Sequence, residues 1–99
     1  MVNMKWKPLN SAQIRAARAL LRWSAAELAR EAALGLATVK RAELADGETS
    51  MTMANDLAVR RALEAAGVEL IDENGGGPGV RLRTRPGKRP SRVPRGGAQ

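Results

Sequence analysis

Apolar residues recur at intervals of three or four along the first half of the chain, and the rhythm breaks twice. In QIRAARALLR, Ile14, Ala17 and Leu21 stand at i, i+3 and i+7, the spacing of one helix face, and Asn10-Ser11 before them are N-cap residues. Arg15, Arg18 and Arg22 fall on another side of that helix. Trp23 follows as a buried plug between helices. Ser24-Ala-Ala-Glu27 has the capping-box spacing, in which the hydroxyl accepts from the third amide and the carboxylate reaches back. The helix it opens buries Leu28, Ala29 and Ala32 and ends at Ala33-Leu34-Gly35. Leu36, Val39 and Ala42 resume the spacing at once, so a third helix begins beside Gly35 and runs over 36–43.

The remainder reads as loop, helix and hairpin. ELADGETSM carries the Asp46-Gly47 turn signal. Thr52 is placed to cap a fourth helix that continues to Ala66. Val59, Ala62, Leu63 and Ala66 lie on one face, Arg60, Arg61 and Glu64 on the other, and Gly67 closes it. VELID and VRLR alternate around ENGGGPG, so Val68, Leu70, Val80 and Leu82 share one face of a hairpin while Glu69 lies near Arg81 or Arg83. Two strands alone are marginal in water, and the hairpin should pack on the helices or pair with a second subunit. From Thr84 onward, TRPGKRPSRVPRGGAQ has too little apolar surface to offset the entropy of ordering and reads as a flexible basic tail. No internal repeat is apparent.

The predicted fold is mainly α: a compact four-helix domain with a helix-turn-helix, a short β-hairpin and a disordered basic tail. The predicted divisions are an N-terminal arm (1–9), a helix-turn-helix domain (10–67), the hairpin extension (68–83) and the tail (84–99).

Composition narrows the functional classes. A chain of 99 residues buries only about two-thirds of the surface its unfolded form exposes, which disfavours a deep enzyme cleft. Cys and His are both absent, removing thiolate ligands, the usual general base and the commonest metal ligand. The GGGPG run has no helix after it to hold a phosphate, and Asp72-Glu73 sits at a strand end, so no general acid and base surround one substrate. No catalytic residue, metal site or cofactor is expected. With no signal-peptide core and no apolar run near the roughly 18 residues of a membrane span, no membrane partner is expected, and the predicted location is cytoplasmic and nucleoid-associated.

Charge adds a direction. The net charge is +7, and from Arg81 onward there are seven cations and no acid. Residues 1–41 hold eight cations against Glu27 and Glu31, while residues 42–80 hold Arg60 and Arg61 against eight acids. Such a separation suits a polyanionic partner bound on one side.

Two short helices joined by about three residues and preceded by a supporting helix outline a helix-turn-helix, whose second helix enters the major groove. Here that helix is 36–43. The run QIRAARALLRWSAAELAREAALGLATVKRAE, Gln13 to Glu43, resembles the phage-repressor-type (XRE, or Cro-like) helix-turn-helix regulators. The likeness rests on the Leu-Leu-Arg-Trp-Ser entry, the Glu27-Leu28-Ala29 triplet and Ala-Thr-Val-Lys-Arg-x-Glu ending at Glu43. RRALEAAGVELIDENGGGPGVRLR, Arg60 to Arg83, also looks like the later part of small bacterial regulators of this type. The resemblance implies a helical bundle that binds double-stranded DNA, commonly as a homodimer on an inverted repeat. By position it implies DNA contacts at Ala25 and Ala26 and at Gly35, Leu36, Ala37, Thr38, Lys40 and Arg41.

The chain departs from that pattern in two places. Gly35, Leu36 and Ala37 offer only backbone and apolar contacts, suited to a thymine methyl, so base reading rests mainly on Thr38 and on Arg41, which can bridge guanine O6 and N7. Lys40 is better suited to phosphate. Ala33 stands where a Gly commonly occupies the turn; a positive φ there costs roughly 1 kcal/mol or more. The expected function is a sequence-specific transcriptional regulator, a repressor acting by occlusion. The alternative is a protein-interaction module, antitoxin-like or an anti-repressor, with a protein partner and little base readout.

Overall fold

The computed structural model describes residues 6–83. The elements are α1 (Ser11–Leu21), α2 (Ala25–Ala32), α3 (Leu36–Leu44), α4 (Met53–Ala65), β1 (Val68–Ile71) and β2 (Gly79–Leu82). This is the predicted order of four helices and a hairpin, with α3 one residue longer than expected and Ala66 the cap of α4 instead of its last turn. The expected flexible tail and residues 1–5 lie outside the described residues.

Local chemistry sets the helix boundaries. Asn10 Oδ1 accepts from the Ala12 amide, and Gln13 Oε1 accepts from the Asn10 amide, so α1 begins with reciprocal capping. Ser24 Oγ accepts from the Glu27 amide at 3.0 Å while Glu27 Oε1 accepts from the Ser24 amide at 2.6 Å, the predicted box. Thr52 caps α4 through the Asn55 amide. At the other end Gly67 adopts φ +107 after Ala66, the left-handed residue that closes α4.

The core gathers Leu9, Ile14, Ala17, Leu28, Ala29, Ala32, Val39, Ala42, Val59, Leu63 and Val68, all buried, with Trp23 half-buried against it between α1 and α2. The hairpin belongs to this core. Val68 pairs with Leu82, Glu69 with Arg81 and Leu70 with Val80, which selects Arg81 over Arg83 as the neighbour of Glu69, and the strands pack on α1 and α4. Gln13 Nε2 donates to the Ile71 and Gly79 carbonyls at 3.0 and 3.1 Å, tying the first turn of α1 to the mouth of the hairpin.

Two expectations about polar groups are corrected. Residues 6–9, counted with the arm, are built into the domain: Leu9 is fully buried, its amide donates to Asp56 Oδ2 at 2.8 Å, and its carbonyl accepts from the Thr49 amide. Arg60, assigned to the solvent face of α4, turns inward. Its Nε donates to Asp56 Oδ1 at 2.8 Å and its Nη2 to the Lys7 carbonyl, while Trp6 Nε1 also donates to Asp56. Asp56 is wholly buried, and these donors replace its hydration, as a buried carboxylate requires. Among the described residues no buried side-chain nitrogen or oxygen lacks a hydrogen-bond partner. No described helix is long and apolar enough to cross a membrane.

Candidate nucleic-acid interface

The break in the apolar pattern is a helix-turn-helix. Helix α2 ends when Ala33 takes φ +59 and the Leu34 amide turns back to the Ala29 carbonyl at 2.9 Å, a Schellman closure. The chain then passes through Leu34, half-buried on the core, to Gly35, which caps α3 with extended backbone and no side-chain bond. Its φ of −71 is open to any residue, and a Cβ there would meet only Thr38 Oγ1 at 3.9 Å. Gly35 is therefore not required by backbone geometry, whereas Ala33 does hold the positive φ anticipated for it.

Period 3.6 gives α3 two unlike faces. Val39, Ala42 and Glu43 are buried, and on the far side Ala37, Lys40, Arg41 and Leu44 are exposed, with Thr38 half-buried between. Leu36, in the first turn and seven residues before Glu43, is exposed on the Glu43 side of the helix. Of the positions carried from the resemblance, Ala37, Lys40 and Arg41 therefore share an open face, with the exposed Gly35 and Leu36 at the start of the helix. Ala25 does not join them so freely: it is half-buried against the core, and Ala26 is the exposed residue of that pair.

The closed face of α3 is held by a polar clamp. Arg18 Nε and Nη2 donate to the two carboxylate oxygens of Glu43 at 2.6 and 2.8 Å, and Arg18 Nη1 donates to the Trp23 carbonyl. Arg15 Nη1 reaches the Glu43 carbonyl, one of the last of α3. The hydrogen bond to Glu43 raises the Arg18 guanidinium above its ordinary pKa, partly opposed by desolvation and assisted by the carboxylate charge. Arg15 and Arg18 fix the last turn of α3 against α1. The available signal was Glu43 itself, seven residues after Leu36 and four after Val39: an acid on an apolar stripe needs a cation.

An open groove of about 480 Å³ runs beside the second half of α3, where Thr38, Arg41 and Leu44 face Ser50, Thr52 and Asn55 across it. Ser50 has φ +65, and Thr49 below it is buried with its Oγ1 accepting from the Met51 amide. The pattern ELADGETSM marked this segment as loop and gave no sign that it would border Arg41.

Chemically, the open face of α3 presents two cations without an ion pair among the described residues, bracketed by apolar side chains. Such a surface can bind and discriminate, and it holds no nucleophile beside a base. No family model matches the chain, and no curated protein matches it either.

Proposed function

We propose that this chain is a sequence-specific regulator that binds double-stranded DNA by laying α3 in the major groove and represses by occlusion. The observation that carries this reading is the exposed Lys40-Arg41 on the helix that follows the turn, without an ion pair among the described residues, over a closed face clamped to α1. The resemblance of Gln13 to Glu43 to the phage-repressor-type regulators supports the same reading. Arg41 supplies a bidentate donor for guanine, and Lys40 a charge for phosphate. A domain that reads half a site binds weakly alone, so the proposal includes a homodimer on an inverted repeat.

The test is selection of duplexes from a randomised library by the full chain near physiological salt. Enrichment of an inverted repeat is the expected result; retention of DNA with no sequence enrichment would count against base reading. Sedimentation showing a monomer both free and on the selected duplex would remove the dimer. A protein-interaction module is favoured by a separate observation, the exposed Met53 and Leu57 one turn apart on α4. A stoichiometric protein partner that binds this face in place of DNA would select that reading.

A further inference from the structure

Leu44 lies outside the core. It is 85% exposed, the most open large apolar residue among those described, and Leu36 at the other end of α3 is 40% exposed. On a helix of 3.6 residues per turn, Ala37, Arg41 and Leu44 stand at i, i+4 and i+7 and form one line opposite the buried Val39, Ala42 and Glu43. Lys40 stands beside that line, whereas Leu36, seven residues before Glu43, lies about 100° round the helix from Ala37.

What covers such a ridge is constrained by its charges. An apolar protein surface would desolvate Lys40 and Arg41 without partners, which is costly. The major groove satisfies both kinds of group: phosphates and guanine acceptors for the cations, and thymine C5-methyl groups for the apolar side chains. No Asn or Gln stands on this face to bond adenine in two places. We infer that α3 lies along the groove and selects its site by C5-methyl groups, with Leu44 as a specificity-determining contact to a thymine beside the guanine bound by Arg41. This rests on the DNA-binding reading above and names the feature of DNA that it recognises.

The experiment uses the duplexes enriched by the full chain, remade with deoxyuridine in place of one thymine at a time. Uracil keeps the base pair and its hydrogen-bonding edge and removes only the methyl. Each contacted methyl should be worth roughly fourfold in affinity, the value of one buried CH2. In a Leu44→Ala chain one of these uracil effects should vanish, and in a Leu36→Ala chain all of them should persist. The exposure of both residues keeps the variants folded, which a melting curve checks. Enriched duplexes that tolerate uracil everywhere, or methyl effects that all persist in the Leu44→Ala chain, overturn methyl reading and leave DNA binding standing. Failure to enrich any sequence overturns both.

Discussion

Ala33 closes α2 at φ +59, where a Cβ approaches the neighbouring carbonyl, and Arg22 closes α1 in the same way at φ +58. Ala33 is exposed and its own bonds are made by backbone, so removing its methyl leaves no cavity. Ala33→Gly should therefore stabilise the domain by about 1 kcal/mol, relief of the left-handed strain exceeding the extra entropy of a glycine in the unfolded chain. In a domain of this size that raises Tm by about 4–8 °C in a calorimetric scan; an unchanged or lower Tm would mean that the turn is not strained. Arg41 is the corresponding residue for the proposed recognition. With its side chain on the open face and no partner among the described residues, Arg41→Ala should leave the stability within about 0.5 kcal/mol of the parent. It should relax base preference at one position per half-site by about 1–3 kcal/mol in a competition with mutated duplexes. Preserved preference at every position would reject the register given to α3.

Between elements, the clamp from α1 to α3 carries more than its exposed position in the sequence suggests. Arg18→Ala would leave the Glu43 carboxylate, only 9% exposed, without its cation. The expected loss is about 3 kcal/mol, the low end for a broken buried pair because part of Arg18 remains in water. Denaturant unfolding measures it, and Glu43→Gln should lose less, since an amide oxygen still accepts from the guanidinium. Equal and small losses in both variants would show that apolar packing alone positions α3. The contrast with the rest of the fold shows what was legible in advance. Helix ends at Ser24, Thr52 and Gly67 and the apolar face of the hairpin were readable because each depends on residues within a few positions of one another. The clamp joins residues 25 apart, and the Asp56 cluster joins Trp6, Leu9 and Arg60 from two segments, so neither leaves a local period. On α3, Lys40 and Arg41 were readable as an open pair from helix spacing, but Leu44 fell beyond the expected helix end, and the groove wall at Ser50 and Thr52 depends on how a loop folds back.

For the whole molecule, folding changes the meaning of the charge pattern. Residues 1–41 look strongly basic, yet Arg18 is paired with Glu43, while Arg60 and Arg81 are paired with Asp56, Asp72 and Glu69. Residues 6–83 carry eleven cations against ten acids, so the described domain is close to neutral, and the proposed attraction for DNA would rest on exposed cations without an ion pair among the described residues, Lys40 and Arg41 of α3 among them. Residues 84–99 carry five cations and no acid. The two regions should therefore divide the work of binding: α3 supplies preference among sequences, and the cations from Arg85 to Arg95 supply charge that any duplex attracts. Each cation that meets a phosphate releases counterions and steepens the dependence of log K on log salt by about 0.9. A chain ending at residue 83 should then bind with a slope shallower by up to about 4.5 and weaker affinity at low salt, while its ranking of duplex sequences stays as it is in the full chain. Titrations of one enriched and one scrambled duplex over a range of salt separate the two contributions. Identical slopes would mean that these cations do not reach phosphate, and a changed ranking would mean that they read sequence and that α3 is not the sole source of preference.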